Sequence, residues 1–331
     1  MGFYREKWKS IEFNPNTDFN SLNDIVKIPP LTKEQIRANI PNLISKGFPE
    51  KELIKNYTGG STGKSLTFYQ TNESKDWSTA ELFRHFNMCG WEFGDKYAFL
   101  WGADRDTQNI GMANKINQKI RRYIWMNSFK LSEEKLSDFT KRIKKFKPKL
   151  LIGYASSLFE FAKFLEKQKY EISIPFVESS AEKLYPFQRR KIQQYLNCKV
   201  FNRYGCREVG NIAHECSEYN KLHISEDINY IEILDKDNNL SAYEENGFVT
   251  ITNLYNYGMP FIRYQNEDMA AISDEFCGCG RISRLLNPII GRISDNIITP
   301  QGKIIHGKFF THLFYNIPEV HQFQLPAKNL R

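Results

Sequence analysis

Leu150-Leu151-Ile152-Gly153-Tyr154-Ala155-Ser156-Ser157-Leu158-Phe159-Glu160-Phe161 changes its period part-way along. The first five residues are a short apolar run, which reads as a buried strand. Beyond them Leu158, Phe161 and Leu165 recur at helical spacing. Ser157 and Glu160 have the form of a capping box, which would open a helix there. Working outward, Ser132 to Phe146 carries Leu136, Phe139, Ile143 and Phe146 on one helical face. Ser132 is placed to cap that helix, and Pro148 ends it. Further upstream lie a helix from about Glu73 to Cys89 and a buried strand, Tyr97 to Trp101. Downstream come a strand at Phe176–Ser179, a helix at Lys183–Asn197 and a strand at Lys199–Arg203. Alternating short apolar strands and helices call for an α/β fold with a mainly parallel sheet.

The pattern changes after about residue 220. Strand follows strand at His223–Ser225, Tyr230–Leu234, Gly247–Thr252 and Phe261–Tyr264, with a hairpin turn at Asp237-Asn238-Asn239. This predicts a mostly antiparallel, barrel-like subdomain. Residues 1–50 read as a helical and irregular segment broken at Pro15, Pro29, Pro30 and Pro41. The expected division is therefore 1–50, an α/β nucleotide-binding region at 51–220, a β-rich subdomain at 221–292 and a tail at 293–331. The tail suggests a hairpin around Gln301-Gly302, then a short helix with Phe309, Phe310, Leu313 and Phe314.

The 331 residues carry 46 basic and 38 acidic side chains, a formal charge of +8 that suits anionic ligands such as nucleotides, CoA or nucleic acid. The densest basic run is Lys141, Arg142, Lys144, Lys145 and Lys147. It falls on one helix and reads as a solvated face. No RNA-binding signature or zinc-finger spacing accompanies it, so no nucleic-acid partner is expected. The N-terminus has no apolar signal core, and Glu6 stands where a myristoylation signal needs Ser or Thr. No apolar stretch is long enough to span a bilayer. A cytoplasmic protein without membrane insertion is the expectation, and its six cysteines then read as thiols or metal ligands.

Tyr57-Thr58-Gly59-Gly60-Ser61-Thr62-Gly63-Lys64-Ser65 is a glycine-rich turn. Its glycines permit left-handed backbone, which points successive N–H groups at a phosphate. Ser61 and Thr62 add hydroxyls, and Lys64 adds charge. The end resembles a Walker loop, but that motif requires glycine where Thr58 stands and an apolar strand where Lys51–Asn56 lies.

The same loop resembles the phosphate loop of adenylate-forming enzymes, with Ser65 in place of the usual proline. Four further segments follow in the order of one group of those enzymes. They are Ser179-Ser180-Ala181-Glu182, Phe201 to Gly210 with Tyr204-Gly205-Cys206-Arg207-Glu208, Tyr257 to Tyr264 extended to Asp268, and Gly291-Arg292-Ile293-Ser294-Asp295. Gly153 to Ser157 matches a subset of the group. From about residue 50 to 325 the chain thus resembles the phenylacetate–CoA ligase and CapK (capsular polysaccharide biosynthesis) type of adenylate-forming enzyme.

That resemblance implies the family's large N-terminal domain, built of mainly parallel α/β subdomains and a barrel-like one. It implies ATP-dependent activation of a small carboxylic acid to an acyl-AMP, with CoA as the usual thiol acceptor and a link to surface polysaccharide synthesis. Tyr204 would stack on adenine, Asp268 would hold the ribose, and Arg292 would contact ribose or phosphate. Glu208 would hold Mg²⁺, and Lys64 would act with it in catalysis. Thr58 to Gly63, Ser180, Ala181, Glu182, Gly205, Cys206 and Arg207 would complete the ATP/AMP contacts. The acid would lie near Trp101, Tyr154 and the Ser179–Glu182 turn. Full-length members carry a mobile C-terminal domain after the Gly-Arg hinge, whereas this chain stops soon after Val320–Gln324. Residues 293–331 then read as the hinge and a stub. A nucleotide-binding remnant acting through a partner is the alternative, and a homodimer is compatible with either.

Cys216, His223, Cys277 and Cys279 supply three thiols and an imidazole, the donor set of a structural Zn²⁺ site. Some members of the resembled group carry such a Cys, His, Cys-x-Cys site. His214 is a rival ligand, while Cys89, Cys198 and Cys206 read as structural thiols.

Overall fold

In the computed structural model, residues 1–58, 65–102, 112–129, 131–218, 221–292, 296–298 and 304–306 are described, of which 112–115, 292, 296–298 and 304–306 only as backbone. The N-terminal segment holds helix α1 (Gly2–Ser10) and helix α2 (Lys33–Leu43). Thr32 caps α2 by accepting from the Gln35 N–H at 3.2 Å, and the backbone kinks at Asn39, two residues before Pro41. An antiparallel hairpin follows, β1 (Ile54–Tyr57) with β2 (Thr67–Gln70). Helix α3 (Asn72–Cys89) is capped by Thr71 and ends at Gly90.

A parallel alternation then runs β3 (Tyr97–Leu100), α4 (Met112–Ile120), β4 (Tyr123–Met126), α5 (Glu133–Phe146), β5 (Leu150–Tyr154), α6 (Ala155–Gln168), β6 (Phe176–Ser180), α7 (Pro186–Leu196) and β7 (Lys199–Cys206). Strands β8 (Gly210–Glu215) and β9 (Leu222–Ile224) add antiparallel to that sheet. A second sheet is built from β10 (Asn229–Leu234), β11 (Gly247–Asn253) and β12 (Tyr264–Ala270). The short β13 (Leu285–Leu286) returns to the large sheet, and β14 (Gly291–Arg292) closes the second. Strands β15 (Asn296–Ile298) and β16 (Ile304–His306) pair antiparallel, as a hairpin about residues 301–302 requires. That turn and the helix expected at Phe309–Phe314 lie outside the described residues.

The large sheet has the order β13-β9-β8-β7-β6-β5-β3-β4, parallel from β4 to β7. Side chains alternate across its two faces. Ala98, Leu100, Leu151, Val177 and Val200 meet the apolar sides of α5, α6 and α7. Tyr97, Leu150, Ile152 and Phe201 meet Phe86 and Cys89 of α3. A third cluster joins the N-terminal segment, the hairpin and the second sheet through Leu31, Ile36, Phe68, Ile251 and Phe261. Among the described residues no helix is long and apolar enough to cross a membrane.

Three local expectations give way to packing. Helix α6 opens at Ala155 without a side-chain cap, so Ser157 lies buried inside it. The strand runs straight into the helix because Gly153 lets Leu158 approach: an added Cβ would lie 2.8 Å from Leu158 Cγ. Phe261–Tyr264 is not a strand, because Arg263 adopts φ 53° to bury its guanidinium, and β12 begins only at Tyr264. The strand at His223, expected to open the antiparallel subdomain, instead pairs in the large sheet.

Candidate nucleotide site and metal centre

The glycine-rich turn connects β1 and β2. Its stem is closed by Thr58, whose N–H donates to the Leu66 carbonyl and whose hydroxyl accepts from the Leu66 N–H, both at 2.9 Å. Gly59, Gly60, Ser61, Thr62, Gly63 and Lys64 lie outside the described residues. The flanking elements nevertheless decide against a Walker loop. That loop joins a strand to a helix, and here two antiparallel strands flank the turn.

The stem stands beside the β7 motif, since Arg207 donates to the Tyr57 carbonyl at 3.5 Å. Gly205 is required where β7 and β8 part, because a Cβ there would meet the Gly210 carbonyl at 2.7 Å. Tyr204 donates its hydroxyl to Asp268 at 2.8 Å. The Asn266 amide donates to both, at 2.6 and 3.0 Å. Burial pushes the Tyr204 hydroxyl well above its usual range, with the Asp268 charge adding to the effect, so it stays a donor. Glu208 is buried and accepts from the Tyr264 hydroxyl at 2.7 Å. Burial, then the Glu208 charge, likewise hold Tyr264 protonated. The Cys206 thiol is raised by burial and by Glu208, which keeps it from acting as a nucleophile. Arg292 has its backbone opposite Asp268 in the β12–β14 ladder. Tyr204 and Glu208, Asp268 and the hairpin stem thus meet from three separate stretches of sequence.

At the end of β6, Ser180 is buried, Ala181 turns at φ 65°, and exposed Glu182 accepts from the Ser156 N–H at 2.8 Å. That bond ties the turn to the start of α6. Next to it Trp101 stacks on Tyr154, centroids 4.1 Å apart.

Cys216, His223, Cys277 and Cys279 converge, with all four donor atoms within 4.8 Å of one another. Cys216 Sγ lies 3.5 Å from Cys277 Sγ, and Cys279 Sγ lies 3.4 Å from His223 Nε2. A tetrahedral zinc with bonds of about 2.0–2.3 Å sets its ligands roughly 3.4–3.8 Å apart, so the set fits. His223 Nδ1 is oriented by the Ser283 hydroxyl at 3.0 Å. Burial pushes the Cys216 thiol up to about 12. Cys279 is brought down to about 7, since hydrogen bonds from Arg281 and the neighbouring thiols outweigh its burial.

His214 does not join this set. It lies with Cys89 and Glu178 in a second buried cluster, Nε2 at 3.1 Å from Glu178 and 3.6 Å from Cys89. Arg203 reaches the same Glu178 at 2.8 Å, and His85 packs tilted against His214 at 4.7 Å between centroids. Sequence reading missed this network. A Glu81, His85, Cys89 series at helical spacing along α3 was its only signal.

No protein-family profile matches the chain. It is 27% identical over 291 residues to Protein CapK of Staphylococcus aureus, covering 86% of this chain and 62% of CapK. It is 25% identical to the phenylacetate-coenzyme A ligase of Thermus thermophilus, covering 96% of this chain and 72% of that enzyme. The chain is a homologue of CapK and of the phenylacetate-coenzyme A ligases. It spans about two thirds of the length of these CapK and ligase relatives. Its fold is that of the adenylate-forming ligases. A 2-hydroxyisobutyryl-CoA ligase in complex with R3-HIB-AMP superposes with a TM-score of 0.74 at 20% identity, over 92% of this chain and 66% of that one. ATP-bound MatB from Rhodopseudomonas palustris superposes with a TM-score of 0.57 at 14% identity, over 82% of this chain and 54% of that one.

Proposed function

We propose that this chain is the large part of an ATP-dependent carboxylic acid-activating enzyme. The observation that carries the reading is the meeting of Tyr204, Asp268 and Glu208 beside the glycine hairpin. An acid carboxylate attacks the α-phosphorus of ATP, and the bond to the bridging oxygen breaks to give acyl-AMP and pyrophosphate. The thiol of CoA then attacks the acyl carbon and AMP leaves. Little covalent protein chemistry is needed, so the chain acts by positioning and by charge.

Tyr204 offers its ring to adenine while its hydroxyl holds Asp268 for the ribose. Arg292, opposite Asp268 in the ladder, adds donors to ribose or phosphate. Ser180 to Glu182 would border the base, and Thr58 to Lys64 would supply the phosphate contacts. Glu208, fixed by Tyr264, would hold Mg²⁺, which neutralises phosphate charge. Cys216, His223, Cys277 and Cys279 would hold one structural Zn²⁺, stapling β8 and β9 to the 277–279 turn. Kinship with CapK supports a place in cell-surface polysaccharide synthesis.

The test is pyrophosphate release from ATP with pooled aryl and alkyl carboxylic acids, with and without Mg²⁺. Acid- and Mg²⁺-dependent release is expected. ATP binding without release under any acid would replace this reading with a nucleotide-binding remnant.

A further inference from the structure

The amino ends of the parallel strands lie in one line. Tyr123, Tyr97, Leu150, Phe176 and Lys199 open β4, β3, β5, β6 and β7 and are register partners in that order. Helices α4, α5, α6 and α7 each lead into one of these strands and so end at the same edge. Ser180 and Tyr204, of the proposed nucleotide site, stand toward the opposite, carboxyl ends.

This edge is basic. Just outside the sheet the backbone row is Arg122, Lys96 and Lys149: the Arg122 carbonyl accepts from the Tyr97 N–H, and the Lys96 carbonyl from the Lys149 N–H. Lys119 stands in the last turn of α4, and Lys144 and Lys145 in that of α5. Lys147 and Lys169 are the C-caps of α5 and α6. The acidic side chains along these junctions are Glu92, Asp95 and Glu171, and Asp95 is already paired with Lys149 at 2.7 Å. Lys145, Lys147, Lys169 and Lys199 are exposed and make no ion pair among the described residues.

Helix C-termini favour lysine, which accounts for part of this charge. It does not account for the apolar side chains among the basic ones. Phe93, in the loop before β3, is 91% exposed; Ile120, at the end of α4, is 74% exposed, and Ile116 one turn earlier is 55% exposed. Arg122 Nη1 donates to the Gly94 carbonyl at 2.7 Å, tying the Phe93 loop to the chain just after α4. Ile120 is flanked in sequence by Lys119, Arg121 and Arg122. Scattered exposed apolar residues are ordinary, but these stand together inside a cationic rim. A nucleic acid would engage the charges and leave the apolar tips in water. An anionic bilayer engages both, with lipid phosphates against the lysines and the tips at the headgroup boundary.

We propose that the amino edge of the large sheet docks on an anionic lipid bilayer, peripherally and without a spanning element, with Phe93 and Ile120 entering the headgroup layer. The nucleotide site then faces away from the lipid. The inference does not rest on the acid-activation reading.

The experiment is co-sedimentation of the full chain with vesicles of phosphatidylcholine alone or mixed with phosphatidylglycerol. Binding is expected to the mixed vesicles only. It should weaken as salt rises from about 0.1 M to 1 M, where the screening length shortens from about 10 Å to 3 Å. Lys145→Gln, Lys147→Gln and Lys169→Gln together should weaken it about a hundredfold, each basic residue near such a surface being worth about fivefold. Removing as many charges elsewhere, by Lys9→Gln, Lys46→Gln and Lys236→Gln on the exposed surface of the N-terminal segment and the second sheet, should change it little. Phe93→Ser with Ile120→Ser should weaken it about tenfold to a hundredfold. All these side chains are exposed, so the unfolding midpoint should hold in every variant. Binding to neither vesicle, or to both alike, would overturn the proposal. Equal losses from the edge and control triples would overturn it too, making net charge the cause. Tighter binding to duplex DNA than to mixed vesicles, with vesicle binding indifferent to Phe93→Ser and Ile120→Ser, would replace it with a nucleic-acid face.

Discussion

The Tyr204 hydroxyl donates to the Asp268 carboxylate at 2.8 Å, joining β7 of the large sheet to β12 of the second across 64 residues. The side chain proposed for the base and the one proposed for the ribose are therefore a single unit, with Asn266 bonded to both. Tyr204→Phe keeps the ring and removes the tether. It should lower unfolding free energy by about 1 kcal/mol and weaken ATP binding by up to about tenfold. Asp268→Asn should weaken binding more. In a double-mutant cycle the pair should couple by about 0.5–3 kcal/mol. Calorimetric titration with ATP measures this, and additive losses would show that the two side chains act separately.

Glu208 tests the metal side of the same site. Glu208→Gln is nearly isosteric and can still accept from Tyr264, so the midpoint of thermal unfolding should change little. Acid-dependent pyrophosphate release should fall by about 10²–10³, as for loss of one preorganised electrostatic contact. Tyr264→Phe should have a smaller effect, since it frees the carboxylate without removing it. Undiminished release by Glu208→Gln at limiting Mg²⁺ would remove Glu208 from the phosphate site.

The strands Tyr97–Leu100 and Leu150–Tyr154 were readable because each is a short unbroken apolar run, whereas β4 and α4 were not read from the sequence. The Leu150–Phe161 stretch shows such a run followed by a periodic helix, and it failed only at Ser157, where Gly153 allowed the helix to begin three residues earlier. The convergence of Cys216, His223, Cys277 and Cys279 was readable because Cys-x-Cys, Cys and His are rare residues with few other uses. Its exclusion of His214 was not, because strand alternation places His214 and Cys216 on one face while only three-dimensional packing separates their partners. Arg263 lies in the Tyr257–Tyr264 segment that carries the resemblance, and its guanidinium is buried against Glu232.

Metal analysis of the purified chain should find one zinc per molecule, held by Cys216, His223, Cys277 and Cys279. Structural zinc contributes about 10–16 kcal/mol of apparent binding free energy, comparable with or above a domain's total stability of about 5–15 kcal/mol. Cys277→Ser should therefore leave little folded protein, and prolonged chelation should lower the unfolding midpoint sharply. Absence of zinc, with stability indifferent to chelators, would assign the four residues to ordinary packing.

Buried His85 should make the fold acid-labile. Burial lowers its pKa from 6.5 to about 4, while its neighbour Glu81 favours the charged form and His214 opposes it. A histidine depressed in the folded state binds its proton more readily unfolded. Stability is thus complete above pH 6.5 and declines as pH falls toward 4, by about 3 kcal/mol at most. Glu81 is lowered below its usual range: burial, its largest influence, opposes this, but hydrogen bonds from His85 and Arg84 outweigh it. Its contribution is lost at still lower pH, in the same direction. Denaturant midpoints between pH 7 and pH 4.5 should fall for the wild type and fall less for His85→Gln. Parallel curves would exclude His85 as the source.

Arg263 carries the last prediction. Its guanidinium makes a two-pronged contact with Glu232 at 3.0 and 2.9 Å, both side chains 1% exposed, and donates to the Val26 and Ile28 carbonyls. The N-terminal segment is thereby pinned to β10 and β12. Removing one partner strands a buried charge, so Arg263→Met should cost about 3–5 kcal/mol, whereas replacing both partners by apolar groups is much less harmful. Two carbonyls lose their donor in either case, so Arg263→Met with Glu232→Leu should recover only part of the loss. Denaturant unfolding of the two variants distinguishes the cases. If the double variant is no more stable than Arg263→Met, the carbonyls of Val26 and Ile28, rather than the ion pair, are what Arg263 serves.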